Sequence, residues 1–214
     1  MNNHAGRAST STLCAIAAVT FIIACVAHEA IGHGGLCLVI GGEIKLLTSV
    51  YFRCVPGRPV VDAAGPTMNL IVAILAAAML ATEKRSDLSR TFLAFLIAFN
   101  GFWGAGYLIF SAFTNTGDWA FVLRDLSAQP IWLWRIIMAA VGIYLYNVTI
   151  RYIAPHLPLG WPLFSAYLVV GAVACASTLF FTGAILPAMQ EAAQESLLAP
   201  VALIYLAFRH SSSQ

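Results

Sequence analysis

The chain has 214 residues, of which 60% are apolar and only 9% are charged, whereas about 25% of the residues in an ordinary soluble domain are charged. This composition excludes a water-soluble globular protein. It is typical of a polytopic membrane protein, whose helices are apolar around most of their circumference. The net charge of +2 gives no indication of nucleic-acid binding.

Apolar stretches predict about six transmembrane helices, because about 20 apolar residues cross a bilayer. These helices are expected at about residues 12–34, 66–82, 91–113, 130–150, 163–186 and 196–208. The last is short and contains Pro200, so it is either a half-span or the end of a helix that begins further upstream. A more polar stretch follows the first helix and contains the β-prone segment 46–54. We expect that segment to form a short strand or hairpin covered by the membrane-embedded part of the protein.

The predicted fold class is therefore an all-α polytopic membrane protein with a short β segment after the first helix. A single membrane domain is expected over residues 1–214. Within it, residues 12–120 form a core of three helices, and residues 130–208 add further transmembrane helices. The five cysteines include no CxxC pair and their number is odd, so the pattern favours buried free thiols.

Residues 28–33 read His-Glu-Ala-Ile-Gly-His, one residue longer than the zinc-protease motif HExxH. In that motif two histidines four apart bind one zinc ion, and the adjacent glutamate activates its water. A spacing of five places His28 and His33 about 140° apart on a regular α-helix. They can share a metal only if a π-bulge absorbs the extra residue or the helix unwinds at Gly32. Ionisable residues at membrane depth are costly and mark functional sites, which favours a metal site.

A zinc site needs a third protein ligand, and the best candidate in the sequence is Asp118. It is expected at the end of the third helix, on the same side of the membrane as the histidine motif. The alternative is an ordinary helix-end aspartate. Glu43, Asp62 and Asp125 are weaker candidates, because they lie in more polar surroundings.

Asn69 is expected in the first turn of the second helix, since Pro66 is a typical first helical residue. Its amide can hold a substrate carbonyl or an oxyanion, or it can make a hydrogen bond between helices. Counting helices places five chemically competent residues on the same side and at the same membrane level: His28, Glu29, His33, Asn69 and Asp118.

These motifs, in this order, resemble those of the site-2 protease family of intramembrane zinc metalloproteases. That family combines HExxH on one helix, a β-structured membrane segment, GPxxN at the next helix start and an Asp-Gly motif at the end of a third helix. The matching features here are HEAIGH at 28–33, the β-prone segment, GPTMN at 65–69 and Gly117-Asp118. The resemblance covers roughly residues 12–120. The chain departs from it by the extra residue in the first motif and by a glycine that precedes the aspartate instead of following it.

The resemblance implies a zinc metallopeptidase in which His28, His33 and Asp118 bind Zn²⁺ and Glu29 is the general base, with Asn69 assisting. It implies a membrane protein or peptide as substrate, room for a regulatory membrane partner, and a site at the cytoplasmic end of the helices. The expected location is a bacterial inner membrane, as a multi-pass integral protein. Two other functions stay open: a zinc-dependent hydrolase of a lipid amide or ester, and a non-catalytic membrane scaffold that retains the fold.

Overall fold

The computed structural model describes residues 8–82 and 86–209. Within them, five helices are long and apolar enough to cross a membrane: Thr10–Val39, Pro59–Ala81, Asp87–Thr114, Ile131–His156 and Trp161–Phe180. A small sheet of two strands follows the first helix. The structure thus confirms an all-α polytopic fold with a short β segment in the predicted place.

The first span changes its helical type where the histidine motif begins. Helix α1 (Thr10–Cys25) runs into a π-helical segment (Val26–Gly34), called here the first π segment, and this continues as α2 (Gly35–Val39). Ser9 caps the N-terminus of α1 by accepting a hydrogen bond from the Thr12 amide at 3.2 Å. The helix therefore does not break at its glycines, and the extra residue of the motif is absorbed by the wider π turn.

The hairpin consists of β1 (Glu43–Leu47) and β2 (Phe52–Val55), paired antiparallel. A disulfide between Cys37 and Cys54 ties β2 to α2, so the expectation that the cysteines are free thiols is wrong for this pair. Among the described residues the other cysteines are free.

Helix α3 (Pro59–Ala81) begins seven residues earlier than predicted, so Pro66 is not its first residue but lies inside it. The start signal belongs to Pro59, which follows the extended residue Arg58. An internal proline is tolerated in a membrane helix because neighbouring groups satisfy the freed backbone. Helix α4 (Asp87–Thr114) is also longer than predicted at its start.

The prediction that Asp118 lies at the end of the third transmembrane helix is wrong. Helix α4 ends in the left-handed residue Asn115, and Gly117 has a φ of 85°, a conformation that favours glycine. The turn leads into a short helix α5 (Asp118–Asp125). Asp118 therefore begins a new helix, and its carboxylate is directed back towards the membrane-embedded site.

The C-terminal part also departs from the predicted bounds. Helix α6 (Ile131–Ile153) continues as a 3₁₀ turn (Ala154–His156), and α7 (Trp161–Ser177) continues as another (Thr178–Phe180). The predicted fifth helix, 163–186, is thus too long at its C-terminal end. The last segment begins upstream of 196 and has three pieces: α8 (Ile185–Ala193), a second π segment (Gln194–Leu198) and α9 (Ala202–Phe208).

Helix α4 forms the centre of the protein and packs against α1, α3 and α6. Its buried aromatic side chains dominate the main hydrophobic core, which includes Phe95, Phe99, Phe102 and Trp103. The outer faces of the peripheral helices expose large apolar side chains such as Ile74 and Tyr144. An apolar exterior around a packed interior is what a protein solvated by lipid presents.

Candidate metal centre

The first π segment brings the two histidines of the motif onto one face. In a π-helix the backbone bonds run from residue i to i+5, so residues five apart lie above one another as residues four apart do in an α-helix. His28 and His33 are 1% and 4% exposed, and Glu29 between them is 5% exposed. The expected helical irregularity is confirmed, in its π form.

Asp118 completes a group of three metal-ligand side chains. Its Oδ2 atom lies 3.1 Å from Nε2 of His28 and 3.6 Å from Nε2 of His33. One ligand atom from each of the three residues lies within 4.8 Å of the others. Zinc–ligand distances of about 2.0–2.2 Å place two donors of one tetrahedral site roughly 3.4 Å apart. The distances from Oδ2 of Asp118 to the two imidazole nitrogens therefore suit a single small cation.

The second nitrogen of each imidazole is held by a hydrogen-bond acceptor. Nδ1 of His28 donates to Oδ1 of Asn69 at 2.6 Å, and Nδ1 of His33 donates to the backbone carbonyl of Val61 at 2.6 Å. A backbone carbonyl only accepts, so the proton of His33 sits on Nδ1. This leaves its Nε2 lone pair for a ligand, the arrangement that metal-binding histidines adopt.

Asn69 is itself oriented by a further buried amide. Its Nδ2 group donates to the Ala24 carbonyl at 3.1 Å and to Oδ1 of Asn100 at 2.9 Å. With both amide hydrogens used, its oxygen must face His28. The structure thus places Asn69 behind His28, with its hydrogen bonds made between helices.

Three acceptors converge as a result: two imidazole Nε2 lone pairs and one carboxylate oxygen. Acceptors at these distances repel unless a proton or a metal cation lies among them. When protons instead of a metal occupy both Nε2 positions, burial raises the pKa of Asp118, but the hydrogen bonds that His28 and His33 donate to it outweigh burial and bring the pKa to about 2. The donor set of nitrogen, nitrogen and carboxylate oxygen is one that Zn²⁺ accepts, so the residues present fit this metal.

Two glycines keep the space around the ligands open. A Cβ atom on Gly65 would meet Nε2 of both His28 and His33, the latter in a severe clash. A Cβ atom on Gly32 would lie 2.7 Å from the Ala64 carbonyl oxygen. The glycine of GPTMN is therefore required by the site, and the glycine of HEAIGH allows α3 to cross the first π segment closely.

Aromatic rings enclose the two imidazoles. Trp103 stacks on His28 with ring centroids 4.8 Å apart and planes 16° apart, and Phe52 stacks on His33 at 5.3 Å and 16°. Tyr107 also contacts His28, with centroids 5.4 Å apart. None of these was identified from the sequence. The spacing of four between Trp103 and Tyr107, which puts them on one face of α4, is the signal that could have indicated them.

Glu29 faces a cavity of about 360 Å³. Its Oε2 atom is buried and has no hydrogen-bond partner among the described residues. A buried carboxyl oxygen without a protein partner is available to a ligand, an ion or a water molecule.

The weaker sequence candidates do not join the cluster. Glu43 pairs with Lys45 on the hairpin, and Asp125 lies beside Arg124 on α5. Asp62 lies in the first turn of α3. Within residues 8–82 and 86–209, the group suited to a metal is the one formed by His28, His33 and Asp118.

Fold and site together define a membrane protein with a buried cluster of two histidines and an aspartate. Comparison of the chain with protein-family models, with curated proteins and with solved structures found no match. The resemblance to the site-2 protease family therefore depends on the sequence motifs.

Proposed function

We propose that the protein is a multi-pass intramembrane zinc metalloprotease, with His28, His33 and Asp118 as the zinc ligands. The observation that carries this proposal is the convergence of three ligand atoms, with the second nitrogen of both histidines already fixed by a hydrogen bond. Two helices, a π segment and a glycine turn are all needed to produce it. An accidental meeting of polar residues would not also orient both imidazoles.

Zinc bound by these residues would supply Lewis acidity, which polarises a carbonyl group and lowers the pKa of water. Glu29 follows His28 directly and has a free buried oxygen. It takes the proton of the attacking water on Oε2 as general base and later gives it to the leaving amine nitrogen as general acid. Water adds to the carbonyl carbon and the carbon–nitrogen bond breaks.

Asn69 is assigned a positioning role in this proposal. Its oxygen holds Nδ1 of His28 and its amide hydrogens are both used, so it acts on the reaction through the metal ligand. The substrate is a membrane protein or peptide that unwinds next to the hairpin. The two-stranded sheet has free edges to which an extended peptide can add.

The membrane setting follows from the five apolar spans, and a bacterial inner membrane is the proposed location. The proposal includes a regulatory membrane partner, because substrate selection depends on the transmembrane helices and on the proteins that contact them.

The test is metal analysis of the purified protein together with cleavage of membrane peptides. Wild type is expected to hold about one zinc per chain, and D118N to lose it, while the matched variant D125N keeps it. E29Q is expected to keep zinc and lose about 10²–10⁴-fold in cleavage rate, with E43Q as control. Turnover of labelled lipid amides or esters but not of peptides would replace the protease with a lipid hydrolase. A chain without metal would favour a non-catalytic scaffold.

A further inference from the structure

A second buried acid, Glu195, faces the cavity that contains Glu29. Glu195 is 2% exposed and lies in the second π segment. Its Oε1 atom accepts a hydrogen bond from the Tyr107 hydroxyl at 3.3 Å. Its Oε2 atom is buried and has no hydrogen-bond partner among the described residues.

Glu29 and Glu195 share two structural features. Each lies in a π segment, and each has one carboxyl oxygen without a partner. π-helical turns are rare and concentrate at functional sites. A buried polar group without a partner is costly to keep unless a ligand supplies the missing hydrogen bond. Glu195 is not needed for the metal cluster, so its free oxygen requires another explanation.

The cavity has the size and lining of a ligand site. Its volume of about 360 Å³ falls within the range of small-molecule pockets, about 300–1,000 Å³. Its walls come from the first span, the turn of the hairpin, α7 and the C-terminal segment. Apolar side chains dominate, and no lysine, arginine or histidine is among the lining residues, which include Phe21, Cys25, Val50, Val173 and Ala192. The acids therefore face a space that offers them no protein cation.

We propose that this cavity binds the substrate segment next to the scissile bond, and that Glu195 selects a side chain that hydrogen-bonds to its free oxygen. The ligand class is an apolar peptide segment with one polar group, such as the amide of glutamine. This inference rests on the proposed protease function, since it places the substrate beside Glu29. Tyr107 holds Oε1, so Oε2 is the atom that bonds to the amide, which both donates and accepts hydrogen bonds.

The experiment uses the full chain in lipid nanodiscs with two synthetic apolar peptides. Both peptides carry a photoreactive group and differ at one position. There one has glutamine and the other has methionine, a residue of similar shape. Photo-cross-linking to E29Q reports binding, and mass spectrometry of the peptides with wild type reports cleavage. The glutamine peptide is expected to cross-link at least about tenfold more, because a site built around a hydrogen bond rejects an analogue that lacks the partner group.

Three variants separate specificity from folding. E195L is expected to bind both peptides equally. V173F fills the cavity from α7 and is expected to bind neither peptide. A172F lies at the exposed neighbouring position and is expected to bind both peptides as the E29Q parent does. All are made in the E29Q background, and zinc content is the measure of an intact site. Zinc must stay at the level of the parent.

The outcomes distinguish this inference from the protease proposal. Cleavage of both peptides at equal rates, with no effect of E195L on their cross-linking, overturns the role of Glu195 and leaves the protease intact. Selective cross-linking without cleavage by wild type supports the binding site and contradicts the protease. Equal binding by V173F and A172F, or no cross-linking of either peptide, overturns the cavity as the binding site.

Discussion

Nδ1 of His28 donates a hydrogen bond of 2.6 Å to the side-chain oxygen of Asn69, which joins the first motif of the sequence to the second. The bond crosses from the first π segment to α3, and Asn100 on α4 continues it at 2.9 Å. Three spans are thus linked through buried polar groups to one imidazole. Such a network is stabilising only when every member is satisfied, so each of its residues should affect zinc binding at the proposed site.

The first prediction concerns Asn69. N69A removes the acceptor of His28, so the imidazole loses its orientation, and the zinc affinity is expected to fall about 10–100-fold. N69D retains an acceptor oxygen and should lose less. Zinc retention during titration with a chelator measures this, with N147A as control because Asn147 is exposed and bonds only within α6. Normal zinc affinity together with lost cleavage in N69A would instead show that Asn69 contacts the substrate.

Asn100 provides a second prediction, at one step further from the proposed zinc site. N100L removes the acceptor of the Asn69 amide and leaves a buried donor unsatisfied, at a cost of about 1–3 kcal/mol. The Asn69 amide can then rotate and turn hydrogens towards His28. We expect lower thermal stability and weaker zinc binding, and no additional zinc loss when N100L is combined with N69A. Additive effects in this double-mutant cycle would argue that the two amides act independently.

Gly65 allows a sharper test, because a single methyl group is directed at the ligand atoms. A Cβ atom there would lie 2.6 Å from Nε2 of His28 and even nearer to Nε2 of His33. G65A is therefore expected to abolish zinc binding while the protein still folds and inserts. G35A, whose added Cβ meets nothing within 4 Å, should keep full zinc content. A G65A protein with stoichiometric zinc would contradict the location of the metal among these atoms.

The sequence predicted those features of the structure that depend on a single local property. Apolar length determined five of the spans, and the five-residue spacing of His28 and His33 required a local irregularity. Whether the first span forms a π-bulge or breaks depends on how it packs against α3. That packing cannot be deduced from the sequence of the first span alone. The start of α3 was misplaced because Pro59 and Pro66 carry the same start signal, and only tertiary packing shows that the second is internal.

Long-range partners were the least predictable part of the site. Glu195 was missed because it lies one residue before the predicted start of the last helix, so no helical face could be assigned to it. The spacing of Trp103 and Tyr107 indicates that they share a face of α4, but in a span that is apolar on all sides nothing indicates that this face stacks on His28. Cys37 and Cys54 are 17 residues apart, and only the hairpin fold brings them together.

The last prediction follows from that disulfide, which lies at the same end of the bundle as the proposed zinc ligands. Disulfides form and persist in oxidising compartments and are rare in the cytosol. We therefore expect the hairpin end to face away from the cytosol, opposite to the orientation that the site-2 protease resemblance implies. Alkylation of the unfolded, unreduced protein should modify Cys14, Cys25 and Cys175, and reduction should add Cys37 and Cys54.

Orientation is measured on the same chain through Lys45, a lysine on β1 whose side chain is 47% exposed. A membrane-impermeant amine reagent applied to intact cells should label Lys45, as mapped by mass spectrometry, and K45R should remove that label. The opposite result has two parts: Lys45 is labelled only after the membrane is permeabilised, and Cys37 and Cys54 are alkylated without reductant. This would mean that the two cysteines form a dithiol on the cytosolic side. The metal cluster would then open to the cytosol, as the resemblance implies.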